Sequence, residues 1–340
     1  MNLLHDDEID NILSFVNDYN SFKFCLKYKS SKKLPKGIIS YTDDNGNTLL
    51  HLAAIQSVDT DIAKLLINNG SSITLENNDG WCPLVCSCVE DNNDMIEFLL
   101  NYENDINKKF GGETILNIAA GRNNLHLAEL LLNKNANIEI KDDEFGNTPL
   151  SNAAAEDYPE MVQLLLKYNA NIEAKNDEGN TPLNYVSQFS HTECFQLLLS
   201  YNANIESKNN QGFTPLHTAT IDKQFQIVLL LLKHDADINS TDNGNNTPLH
   251  IAAGWDYADI TVLLLQNGAN IEAKRFDEDT SLQIATWENH IQTIEILLKY
   301  NANTQVKDEE QRTPLYIACE NNYVELTESK VGLRPPNIIK

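Results

Sequence analysis

One heptapeptide recurs along this chain and fixes what it can become. Thr247-Pro248-Leu249-His250-Ile251-Ala252-Ala253 states it in full, and Thr214-Pro215-Leu216-His217-Thr218-Ala219 differs at one place. Thr148-Pro149-Leu150, Thr181-Pro182-Leu183 and Thr313-Pro314-Leu315 keep its head, and worn copies start at Thr48, Cys82, Thr114 and Thr280. Starts at 48, 82, 114, 148, 181, 214, 247, 280 and 313 lie 34, 32, 34, 33, 33, 33, 33 and 33 residues apart. A fixed period of this size means one supersecondary unit repeated, each burying its apolar face against its neighbours.

The phrase has a physical reading. A Thr hydroxyl accepts from a free N–H of the first helical turn, and Pro suits the first helical position, where its missing N–H costs nothing. Leu and the small Ala pair then face a core in which helices approach closely. An apolar pair closes each unit: Leu66-Ile67, Leu99-Leu100, Leu131-Leu132, Leu165-Leu166, Leu198-Leu199, Leu231-Leu232, Leu264-Leu265 and Leu297-Leu298. Three residues after each pair stands Gly70, Glu103, Asn135, Asn169, Asn202, Asp235, Gly268 or Asn301. Gly, Asn and Asp tolerate the left-handed conformation that ends a helix, and Glu103 is the misfit. The unit therefore reads as short helix, turn, longer helix, stop and extended tip.

On these residues the chain resembles the ankyrin-repeat family, from about Asp43 to about Thr327. The resemblance implies an all-α solenoid of about nine helix-turn-helix units with β-hairpin tips. It also implies a concave face of tips and first helices that binds another protein. The domain reading is a helical cap or arm over 1–40, a repeat array over 41–327 with an incomplete last unit, and a tail over 328–340. Ile9, Ile12, Leu13 and Val16 have helical spacing in the first segment, and the first repeat carries one extra residue near Gln56–Thr60. In the last unit Glu328-Ser329-Lys330 stands where the apolar pair belongs.

Charge narrows the partner. Forty-nine Asp and Glu against 25 Lys and Arg give a net charge of −24, the wrong sign for neutralising phosphates. The expectation is no nucleic acid and no membrane, since no apolar run approaches the length that crosses a bilayer. A protein partner with a basic surface fits better. Met1-Asn2-Leu3-Leu4-His5-Asp6-Asp7-Glu8 turns acidic before an apolar core forms, so no leader is expected. Six Cys without a disulfide framework suit a reducing, cytoplasmic location.

No catalytic pattern survives the repeat register. His51, His217 and His250 fill the fourth slot of the phrase, and the family implies that this side chain bonds between neighbouring tips. Cys82, Cys86 and Cys88 hold small inward slots with no second ligand pair at zinc spacing. Asp242-Asn243-Gly244-Asn245-Asn246 lacks the glycine and distant glutamate of a calcium loop. The reading is a non-enzymatic scaffold, with no cofactor and no metal. A monomer is expected. Self-association through the unfinished last repeat and an adaptor acting in another cell are the alternatives.

In the family's register, the residue before Thr lies on the tip, and the seventh and eighth after it end the first helix on the concave side. That rule selects Phe213, Phe189, Trp255 and Trp287 as a partner site, with Phe276 on its own tip and Trp81 as an outlier. Asp222, Asp256, Asp279 and Glu288 surround them as steering charges. The resemblance also singles out Asn239, in Leu232…Asp237-Ile238-Asn239, for asparaginyl hydroxylation, because most other tips carry Glu there, as at Glu173, Glu206 and Glu272.

Overall fold

The structure is a computed structural model and describes residues 34, 39–56, 60–103 and 105–327. The expected cap over 1–40 falls almost wholly outside the described residues, as do the tail over 328–340 and most of the loop with the extra residue. Two compact units, Met1–Asn171 and Ile172–Lys340, divide the chain.

Each phrase becomes a short helix. In the first unit these are α1 (Leu49–Ile55), α3 (Pro83–Val89), α5 (Ile115–Gly121) and α7 (Pro149–Ala155). In the second they are α9 (Pro182–Phe189), α11 (Pro215–Ile221), α13 (Pro248–Gly254), α15 (Ser281–Trp287) and α17 (Pro314–Glu320). A second helix follows each, such as α2 (Thr60–Asn68), α12 (Phe225–Lys233) and α14 (Ala258–Gln266); the last, α18 (Val324–Thr327), is a single turn. Extended Thr residues begin the first helices, and the Thr48, Thr114, Thr148, Thr181, Thr214, Thr247 and Thr313 hydroxyls accept from the N–H three residues on. Cys82 makes no such bond.

The first residue of every apolar pair is the core anchor: Leu66, Leu131, Leu165, Leu198, Leu231, Leu264 and Leu297 are fully buried. Burial of one such side chain stabilises by about 1.5–3 kcal/mol. Ala53, Ala120, Ala154, Ala219, Ala253 and Ala285, all at 0 % exposure, let successive first helices pack. Gly70, Asn135, Asn169, Asn202, Asp235, Gly268 and Asn301 have positive φ, as expected, and Glu103 does not. A second left-handed slot lies between the two helices, at Asp91, Asn123, Asp157, Ser190, Lys223, Asp256, Asn289 and Asn322.

The tips are turns more than hairpins. Among the described residues only Lys109–Phe110 (β1) and Glu113–Thr114 (β2) pair as strands, besides one bridge, Thr42 to Thr48. Elsewhere an Asx carboxyl or amide replaces the ladder: Asp242 Oδ1 accepts from Gly244 and Asn246 N–H, and Asn209 Oδ1 accepts from Gln211 and Phe213 N–H. Single backbone bonds close each tip and link it to the one before, Asn209 N–H to Phe213 O and Asn210 N–H to Glu178 O, without extending into a strand ladder. Gly179 (φ +79°) shows why the tip glycine matters, since a Cβ there would meet the Asn210 nitrogen at 2.7 Å.

Three ladders of side chains stitch repeat to repeat. Glu173, Glu206, Asn239 and Glu272 each accept the N–H of the residue 31 places on in the next repeat, Asn204, Asp237, Asn270 and Asn303, at 2.6–2.8 Å. The residue ten after Thr reaches back to the carbonyls at the end of the preceding first helix: Gln224 to Gln188 O, Tyr257 to Ile221 O, His290 to Ala253 O and Tyr323 to Trp287 O. The third ladder uses the fourth slot of the phrase. Thr247 N–H and Oγ1 lie 3.0 and 2.9 Å from His250 Nδ1, and Nε2 lies 2.9 Å from Ala273 O. A carbonyl only accepts, so Nε2 carries the proton and Nδ1 is the acceptor. His217 repeats this with Asn246 O, and His51 with Trp81 O.

Candidate protein-binding surface

Backbone and buried polar groups are largely saturated by these ladders, so a site must lie in what they leave exposed. In the second unit, slots four and eight after Thr are one helical turn apart and share a helix face. Slot eight holds Phe189, Asp222, Trp255 and Glu288 on four successive repeats. Phe189 is 50 % and Trp255 63 % exposed, and both acids are exposed. Slot four holds half-buried Tyr185, Thr218 and Ile251, then buried Ile284. This inner row escaped the sequence reading, although its four-residue offset from the outer row was visible.

The remaining selected residues are placed differently. Phe276 stands on its tip at 82 % exposure. Phe213 is half-buried and stacks on the His217 imidazole at 6.0 Å, so it covers a ladder group. Trp287 is half-buried: the Arg312 guanidinium lies 4.5 Å from its ring centre, held by Asp308 (2.7 Å) and Glu310 (2.6 Å). Among the described residues no ring contact joins Trp255 to Trp287. Trp81, in the first unit, is half-buried and accepts from His51 through its carbonyl. Asp256 is half-buried in the left-handed turn slot and accepts from Thr293 Oγ1 at 2.8 Å.

Asp279 departs from its expected role as a surface charge. It is 4 % exposed, its Oδ2 pairs with Arg275 at 3.2 Å, and its Oδ1 has no partner. Burial, with Asp277 beside it, pushes its carboxyl up to about 6. The slot itself is inward: Asn47, Asn147 and Asn180 are buried at the same place in their tips, and here it holds a carboxylate. Asn239 is exposed, but its Oδ1 serves as a ladder rung to Asn270.

The other chemistry-bearing groups are structural in placement. Burial lowers the His51, His217 and His250 imidazoles, His250 to about 4. Burial raises the Cys82, Cys86 and Cys88 thiols, Cys86 to about 12, which opposes the thiolate a metal needs. Among the described residues no group of three or more His, Cys, Asp or Glu is arranged for a metal ion, and no helix is long and apolar enough to cross a membrane.

Helix pairs joined by tip turns and stitched at a 33-residue period define a repeat protein of the helix-turn-helix kind. The family profile described as ankyrin repeats matches residues 14–110, 105–176, 158–242, 208–275 and 272–329. The chain belongs to the ankyrin-repeat family. Among solved structures it is similar to the ankyrin repeat domain of Bcl-3, described as a unique member of the IkappaB protein family. That likeness has a TM-score of 0.57 and 27 % identity, over 61 % of this chain and 94 % of the other. No curated protein matches the sequence. The family is one of interaction modules.

Proposed function

We propose that the chain is a protein-binding scaffold whose partner lies on the tips and first helices of the second unit, the face the family presents as concave. The observation that carries this is Trp255. A large ring at 63 % exposure, on the same helix face as a half-buried apolar row, typifies a binding hot spot. Phe276 and Phe189 extend the apolar area, and Asp222 and Glu288 steer a partner with a basic surface. Buried reduced thiols and the acidic surface suit a cytoplasmic setting.

The test is affinity enrichment from native lysate with the full chain and with a Trp255→Ala, Phe276→Ala variant, read by mass spectrometry. A protein retained by the first and lost by the second is the expected result; identical profiles refute the reading. Tyr316 (54 % exposed) and Val324 (61 %) on the last repeat support a second reading, self-association at that end. Light scattering that returns a monomer mass at high concentration counts against it.

A further inference from the structure

The geometry points to one occupant for the two rows of the second unit: we propose a basic segment in the polyproline II conformation, lying along successive repeats with one residue per turn on each. This deepens the scaffold reading and rests on it.

The first argument is alternation. Along slot eight the order is aromatic, acid, aromatic, acid: Phe189, Asp222, Trp255, Glu288. Among the described residues neither acid is in an ion pair. The nearest cation in sequence, Lys223, turns away and sets its ammonium 5.1 Å from the centre of the Tyr257 ring. The column thus offers unneutralised carboxylates between apolar plates. It fits a ligand that carries Arg or Lys and apolar groups in strict turn, which a uniformly basic surface does not.

The second argument is spacing. Packed helices lie roughly 8–10 Å apart, so each step along the column is about that long. Polyproline II advances 3.1 Å per residue with three residues per turn, about 9 Å per turn, so every third side chain returns to the same face in step with the repeats. A β-strand covers the same step in about three residues, but alternate side chains face opposite ways and every second contact is lost. An α-helix needs about seven residues per step and about twenty for the column. Polyproline II meets all four positions with about ten residues and is already ordered when free, which reduces the entropy lost on binding.

The third argument is the inner row. Tyr185, Thr218 and Ile251 sit half-buried one helical turn before the outer row. An aromatic-lined and aliphatic strip of this kind receives pyrrolidine rings well.

The experiment uses the full chain and a labelled decapeptide, Leu-Pro-Pro-Arg-Pro-Pro-Leu-Pro-Pro-Arg, followed by fluorescence anisotropy. Saturable binding is expected, weakened at least tenfold by Trp255→Ala and by Asp222→Lys. Both residues are exposed, so circular dichroism of each variant should match the parent. A peptide of the same composition with its arginines adjacent should bind at least tenfold more weakly. Equal binding of that control, no effect of Trp255→Ala, or no binding of the decapeptide overturns the proposal, as does preference for a basic amphipathic helix. If the decapeptide fails while Trp255→Ala, Phe276→Ala still loses a native partner, the occupant is wrong and the scaffold reading stands. If the native profile is also unchanged, both fall.

Discussion

Acid should loosen the imidazole ladder, and His250 sets the magnitude. Its ring is neutral because Nδ1 must accept from Thr247 while Nε2 donates to Ala273 O, and burial opposes any charge. The folded value is lowered from 6.5 to about 4. A group whose folded value is depressed contributes stability in full above its unfolded value, about 6.5. That contribution declines as pH falls and is gone by about 4, since the unfolded chain binds the proton first. The difference, 6.5 − 4, corresponds to about 3 kcal/mol when fully expressed, of which about 1 kcal/mol is lost by pH 5.5. That pH stays clear of the isoelectric point near 4.6. Asp279, raised to about 6, works in the opposite direction at the neighbouring tip, so absolute pH profiles mix the two. The His250→Gln variant isolates the imidazole. Gln283 already fills the equivalent slot, accepting from Thr280 N–H at 3.1 Å and donating to Arg312 O at 3.0 Å without titrating. Urea unfolding of parent and variant at pH 7.5 and 5.5 should show the parent losing about 1 kcal/mol more than the variant. Equal losses refute the assignment of an uncharged, doubly bonded ring.

Asn184 fills the same slot, and its buried Nδ2 has no partner; Asn184→His should raise stability by about 1 kcal/mol, read from the urea midpoint. Trp287→Ala should lower the melting temperature, because it strips the Arg312 guanidinium of its ring, whereas Trp255→Ala should leave it nearly unchanged; calorimetry of both variants decides. Amide exchange should be fastest beyond Thr313, where the second helix is one turn long, and protection equal to that of Thr214–Leu298 would refute the weak end. Asn239 in native protein is expected to carry one added oxygen by peptide mass spectrometry. Its unmodified recovery would leave Asn239 as a ladder rung alone.

The period, the Thr caps and the left-handed stops were legible because each rests on local backbone chemistry that one residue type satisfies. Glu103 shows the same logic in reverse, since a residue unsuited to positive φ marks the one stop that departs from it. The inter-helix left-handed slot went unread because its occupants range from Asp and Asn to Ser and Lys, and Lys223 carries no such signature. The fourth-slot ladder was implied by the resemblance, but the other two went unread because their partners lie about a period away and differ in kind: Gln, Tyr and His all reach back to the end of the preceding first helix. Surface placement was least legible. Asp279 and Trp287 carry no local signature of cover, yet each lies against an arginine, Arg275 for the carboxylate and Arg312 for the ring.

The glutamate–asparagine rungs have a bearing on how this gene's length can change. Each of these rungs joins two residues 31 places apart in adjacent repeats, and one rung resembles the next. Removing one whole period, for instance 181–213, brings Glu173 against the amide of Asp237 in place of Asn204, and the seam closes with every donor matched. Within 173–303, where every rung spans 31 residues, a deletion of another length leaves an acceptor facing the wrong residue. Loss or duplication of a whole period within this stretch therefore keeps the seams matched, and neighbouring copies there are interchangeable parts whose surfaces can diverge while their seams cannot.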